Sequence, residues 1–124
     1  MIQRSEREAR SDREACCAAV PQVSMEAIER DVTVLSALAN PTRYGALRVL
    51  RAAEGEVCAC DLAEPLDASQ SAISHALSAL YEAGLVTRRK QGRWRHYSTT
   101  ALADRVLAVF DDRRNDGNER ETDE

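Results

Sequence analysis

Four cysteines and a block of cations are the residues of this 124-residue chain best suited to chemistry. The cysteines fall in two groups, the vicinal pair Cys16-Cys17 and the pair Cys58 and Cys60 with Ala59 between them. Neither spacing is the Cys-x-x-Cys of a dithiol oxidoreductase, and no acid/base constellation accompanies the sulfurs, so the chain does not read as an enzyme. Thiols spaced in this way suit a soft metal ion or a redox response better than a structural disulfide framework. A second chemistry is offered by Arg88, Arg89, Lys90, Arg93 and Arg95, which stand in a stretch free of acids from Ala83 to Ser98. Such a local cationic surface is what phosphate binding requires, although the same charges also serve as a solvated edge on a β-ribbon. Between the two groups, Ser69, Gln70, Ser71, Ser74 and His75 concentrate small hydrogen-bonding side chains at what reads as a helix start, where capping alone is the simpler role.

The net charge of −4 speaks against a polyanionic partner only until its distribution is considered. The stretch from Asp111 to Glu124 holds seven acidic and three basic residues and carries all of the excess, so residues 1–110 balance at zero. Hydrophobic residues at 44% and charged residues at 31% fit a globular chain, and the length fits one domain. No apolar run reaches membrane-spanning length, and Met1 to Arg13 lack the apolar core of a secretory signal, so the cytoplasm is the expected compartment and no membrane partner is expected.

The elements that must position these residues follow from periodicity and punctuation. Residues 1–20 are polar, lack an apolar period and end at Pro21, which predicts a flexible arm carrying Cys16 and Cys17. From Ser24, a capping residue, the positions Met25, Ile28, Val32, Leu35 and Ala39 predict a first helix. Asn40-Pro41 predicts an N-cap and first helical residue, with Tyr44, Leu47 and Leu50 on one face until Gly55 stops the helix. A short helix around Asp61, Leu62 and Ala63 is expected to end at Pro65, and Ser69 opens the next with Ile73, Ala76, Leu77 and Leu80 inward and Gly84 as its left-handed stop. Two short helices joined by a tight turn form a helix-turn-helix. Leu85 to Lys90 and Arg93 to Ser98, separated by Gln91-Gly92, predict a β-hairpin in which Trp94 and Tyr97 help hold the strands. Alternation along the second strand puts Arg93 and Arg95 on one side. Thr100 caps a last helix with Leu102, Val106, Val109 and Phe110 on one side, and residues 114–124 read as an acidic disordered tail. Residues 21–113 are thus the expected domain: mainly α with a small β-hairpin, five helices plus a wing.

The run from Asp61 to Val86, followed by Gly92-Arg93-Trp94-Arg95-His96-Tyr97, resembles the ArsR/SmtB family of metal-responsive repressors over roughly residues 25–110. The resemblance implies a winged helix-turn-helix homodimer on double-stranded operator DNA, with the first and last helices as its interface. Ser69, Gln70, Ser71, Ser74 and His75 would then enter a major groove, Gln70 being the best candidate for reading a base, and Arg88, Arg89, Lys90, Arg93 and Arg95 would meet phosphates or the minor groove.

The segment Cys58-Ala59-Cys60-Asp61-Leu62 is similar to that family's metal-binding signature. A third cysteine sometimes found just after it is replaced here by Ala63 and Glu64, so a further ligand has to come from elsewhere, and Cys16 and Cys17 can supply it. A three-sulfur site fits As(III) or Sb(III), whereas four sulfurs better suit Cd(II), Pb(II) or Zn(II). A vicinal arm pair with a Cys-x-Cys is most like arsenite-responsive members, in which the arm of one protomer reaches the helix of its partner. A thiol-redox regulator of the same fold is the alternative. The family's zinc site on the last helix needs His ligands that Leu102 to Arg114 does not contain.

Overall fold

The computed structural model describes residues 19–123, with side chains from Ala19 to Asn115. Cys16, Cys17 and all but the end of the expected arm lie outside the described residues. Among the described residues, five helices and three strands follow in order: α1 Met25–Leu38, α2 Pro41–Ala53, β1 Val57–Cys58, a 3-10 turn Ala59–Asp61, α3 Ala63–Leu66, α4 Gln70–Glu82, β2 Val86–Gln91, β3 Trp94–Thr99 and α5 Ala101–Asp123.

The helix starts are where the capping residues put them. The Ser24 hydroxyl accepts from the Ala27 amide at 3.2 Å, and the Asn40 carboxamide accepts from Thr42 and Arg43 at 3.0 Å each, with Pro41 in the first turn where its missing amide costs nothing. Ser69 accepts from the Ala72 amide at 3.0 Å and so opens α4. Arg43 then reaches back to donate to the carbonyls of Ser36 and Ala37, placing a cation at the C-terminal end of α1 where the helix dipole favours one.

Four features of these elements differ from the sequence expectation. Helix α2 is closed by Glu54 in the left-handed region (φ 58°) rather than by Gly55. Pro65 does not end α3 but lies inside its first turn, and the stop is Asp67, also left-handed at φ 51°. The hairpin becomes a three-stranded antiparallel sheet in the order β1-β3-β2, because Val57 and Cys58 pair with Tyr97 and His96. The helical backbone of α5 also continues through the acidic segment expected to be a disordered tail, as far as Asp123. No proline interrupts that segment, so its backbone hydrogen-bond ladder has no forced break.

Ile73, Ala76, Leu77 and Leu80 of α4 are buried against Leu47 and Leu50 of α2, Leu62, Leu85 and Tyr97 in one core. Helix α5 contributes only Ala103 and Leu107 to it. It is fastened by charge as well, since Asp111 meets Arg48 at 2.7 Å and Arg51 at 3.5 Å. The hydrogen bond from Arg48 holds the Asp111 carboxyl below its ordinary range. The apolar stripe expected on the last helix therefore faces outward: Val109 is 64% exposed, and Leu102 and Phe110 are open too. Helix α1 behaves alike, with Met25, Val32 and Leu35 exposed by 58%, 49% and 62%.

Leu77 sits at the centre of the α4 face with no exposed surface. Leu77→Ala is expected to lower unfolding stability by about 2–5 kcal/mol, read as a fall in urea midpoint at fixed protein concentration.

Candidate nucleic-acid interface and thiol site

Burying one face of α4 leaves the other to solvent, and Ser69, Gln70, Ser71, Ser74 and His75 are all exposed on it. The chain leaves α4 through Gly84 (φ 80°), with Leu85 donating its amide to the Leu80 carbonyl at 3.0 Å and the Thr100 hydroxyl donating to the Gly84 carbonyl at 2.8 Å. These bonds set the angle between the exposed helix and the β2–β3 hairpin.

The hairpin register sorts the five cations. Arg88 pairs with the buried Tyr97 and Lys90 with Arg95, so these three cations share the sheet face that carries Val86 and Tyr97. Arg89, opposite His96, is on the other face, where it closes on Glu56 through contacts of 2.7–3.1 Å. That pairing lowers the Glu56 pKa and raises that of Arg89. The guanidinium of Arg88 lies 3.9 Å from the centroid of the Tyr81 ring, a cation–π contact that orients it beside α4. Arg93 is not on a strand face with Arg95: it forms the tight turn with Gly92, whose φ of 63° suits glycine. Between helix and hairpin runs a notch of about 290 Å³ lined by Gln70 and Ser74 of the helix and Arg93, Trp94 and Arg95 of the hairpin, with Cys60 also in its lining. Among the described residues, Arg88, Lys90, Arg93 and Arg95 have no carboxylate within ion-pair distance.

Cys58 and Cys60 lie directly before the helix-turn-helix. Cys58 ends β1 and its Sγ accepts from the Cys60 amide at 3.4 Å, capping the 3-10 turn. Cys60 is exposed, and its thiol is 3.8 Å from the Asp61 carboxylate. The hydrogen bond with Cys58, then burial, then the Asp61 charge push the Cys60 thiol up to about 11. The Gln70 side chain donates to the Cys60 carbonyl at 3.2 Å, joining the thiol turn to the first residue of α4. No group of three or more His, Cys, Asp or Glu that could hold a metal ion gathers among the described residues, where Cys58 and Cys60 are free thiols.

Three participants escaped the sequence reading. Glu56 and Tyr81 set which cations are held and where, and His96, across the ladder from Cys58, has a buried Nδ1 without a partner. Only Tyr81 could have been anticipated, from its place one turn before the exit of α4.

Comparison with known proteins points the same way. The profile of the arsR family of bacterial regulatory proteins matches residues 40–88. A Halobacterium salinarum protein, described as a candidate arsenical resistance operon repressor, is 50% identical over 101 residues, spanning 82% of this chain and 85% of that protein. The arsenical resistance operon repressor of Escherichia coli K12 is 46% identical over 66 residues, 53% of this chain and 56% of its own length. Among solved structures, a homodimeric winged helix-turn-helix DNA-binding domain from Mycobacterium bovis superposes with a TM-score of 0.68 at 26% identity, covering 82% of this chain and 95% of that one.

Proposed function

This chain belongs to the arsR family of bacterial regulatory proteins, a family of DNA-binding transcriptional regulators and not of enzymes, and from that premise we propose that it is an operator-binding repressor released by As(III) or Sb(III). The observation that carries this reading is the junction of two thiols with an exposed polar helix: Cys60 shares one notch with Gln70, Ser74 and the wing cations. Ser69, Gln70, Ser71, Ser74 and His75 present donors and acceptors to base edges and phosphates in a major groove. Arg88, Lys90, Arg93 and Arg95 neutralise the flanking phosphates, while Arg89 holds the sheet to Glu56. Among the described residues no helix is long and apolar enough to cross a membrane. The cytoplasm, where thiols stay reduced and DNA is at hand, is the compartment this role requires.

The outward apolar stripes of α1 and α5 support a homodimer that sets two copies of α4 in successive major grooves of an inverted repeat. In such a dimer Cys16 or Cys17 from the arm of one protomer completes the half-site formed by Cys58 and Cys60 of the other. Arsenous acid then exchanges its three hydroxyls for three thiols and leaves three waters, giving a neutral three-sulfur centre. Cd(II), Pb(II) or Zn(II) would use the same sulfurs as thiolates.

In fluorescence anisotropy on a duplex from the protein's own upstream region, arsenite is expected to release the wild type but not a Cys58→Ser or Cys60→Ser variant. The double variant Arg93→Ala/Arg95→Ala removes two cations from each protomer of the dimer and should lower the slope of log K against log salt by roughly four, and Arg89→Ala should change it far less. Absence of any salt-sensitive binding to duplex DNA overturns the reading.

Replacing Leu35 and Val109 by Glu leaves the core of each protomer intact. Sedimentation should then show a monomer with unchanged helical circular dichroism, and operator affinity should fall at least about 100-fold as the two half-sites cease to act together.

Ion choice has its own signature. Because arsenous acid takes up the thiol protons as water, its affinity should be nearly flat from about pH 6 to pH 8, whereas each thiol that binds Cd(II) must expel a proton and so makes affinity climb steeply with pH. Titrations of both ions across that range separate the two.

A further inference from the structure

Residue Cys60 contributes three groups to three different partners. Its thiol is 3.8 Å from the Asp61 carboxylate, its amide donates to the Cys58 Sγ at 3.4 Å, and its carbonyl accepts from the Gln70 carboxamide at 3.2 Å. The last contact has a plain geometric origin. Gln70 is the first residue of α4, and helical side chains lean toward the N-terminus, so its carboxamide hangs back over the turn that contains Cys60.

We infer that Gln70 is the positioning residue through which the state of the thiols reaches the DNA-reading surface, the Cys60 carbonyl holding its carboxamide in the orientation that reads a base. This inference rests on the repressor reading above. A carboxamide has two N–H donors and one carbonyl oxygen. Spending one N–H on Cys60 fixes the plane of the group and leaves one donor and one acceptor at the exposed start of α4, the pair that an adenine edge requires in the major groove. The tether removes rotamer freedom that would otherwise be lost on binding DNA.

Capture of one arsenic atom by both sulfurs and a ligand from outside the turn puts a load on this turn, because the Cys58 Sγ also accepts from the amide of the residue that carries the second thiol. In this inference the backbone of residue 60 takes up that load, and its carbonyl moves with it. Gln70 then loses its anchor, and the amide pair no longer points in one direction. Coupling of this kind is reciprocal: DNA that holds Gln70 in place must resist arsenic capture by the same factor.

The test compares operator affinity with and without saturating sodium arsenite for the wild type, Gln70→Met and Gln70→Lys. Methionine keeps the length and loses the donor, and lysine restores an N–H donor that reaches the Cys60 carbonyl. The ratio of the two affinities should fall about fivefold in Gln70→Met, the worth of one net hydrogen bond. Arsenite affinity of the DNA-free protein should rise by up to about fivefold in Gln70→Met, since the tether no longer opposes the turn's rearrangement, and return to the wild-type value in Gln70→Lys, whereas a residue that only touches DNA would leave it unmoved in both. A wild-type ratio in Gln70→Met, or the same arsenite affinity in the two variants, overturns the inference alone. A wild type that arsenite does not release overturns the repressor reading and the inference with it.

Discussion

The chain reversal at Gly84 is the constraint on which the remainder of the structure depends. A helix of 13 residues must end, and the strand that follows must leave at an angle that keeps its cations beside the helix rather than behind it. Gly84 supplies the left-handed residue, the amide of Leu85 turns back to Leu80, and Thr100 ties the end of β3 to the same corner through its hydroxyl and its amide. Leu85 and Val86 are buried immediately after the turn, so the corner is pinned by the core as well as by hydrogen bonds. A β-branched or larger residue at position 84 would face the cost of a positive φ, and the error would be passed to every residue of the wing.

Electrostatics obeys the same economy of placement. On a chain of net charge −4, Arg88, Lys90, Arg93 and Arg95 are left without an ion-pair partner among the described residues. Asp111 is taken up by Arg48 and Arg51 on the far side of the core, and Glu56 neutralises Arg89 on the opposite face of the sheet. Register decides the outcome: Arg88, Lys90 and Arg95 fall on the face toward α4, and the one cation turned away from them is the one that meets an acid. Pairing Arg89 with Glu56 also joins β2 to the segment just before β1, two strands removed in the sheet, so the ion pair spans the sheet from edge to edge.

What could be read from the sequence was local. Ser24, Asn40 and Ser69 cap the helices they were expected to cap, and Ile73, Ala76, Leu77 and Leu80 face inward because a 3.6-residue period admits no other choice. Gly84 and the presence of a hairpin were equally legible, but its turn falls at Gly92-Arg93 and not at Gln91-Gly92, which takes Arg93 off the strand. Features that depend on distant segments were not. Strand β1 has two residues, too few to show alternation, and it exists because β3 offers Tyr97 and His96 as partners. Glu54 closing α2 in a left-handed conformation has no signal beside a following glycine. The bond from Gln70 to Cys60 joins residues ten apart across a turn whose shape no periodicity encodes.

The apolar stripes show how one sequence pattern can serve two ends. Met25, Ile28, Val32 and Leu35 have the spacing of a core-facing helix, and so do Leu102, Val106, Val109 and Phe110, yet the core is closed without most of them. It is filled by leucines of α2 and α4 with Leu62, Leu85 and Tyr97, and α5 needs to give it only Ala103 and Leu107. Beside the second stripe the Phe110 ring stands edge-on to that of Tyr44 with centroids 5.8 Å apart, and Leu38 lines the same hollow. Exposed side chains of this size on two helices exceed what scattered surface hydrophobics account for, and their burial against a second copy would remove them from water at ~25 cal/mol for each Å² of apolar surface. Periodicity thus reports that a face is to be buried, but whether by its own core or by another protomer is decided only when the core has been counted and found already full.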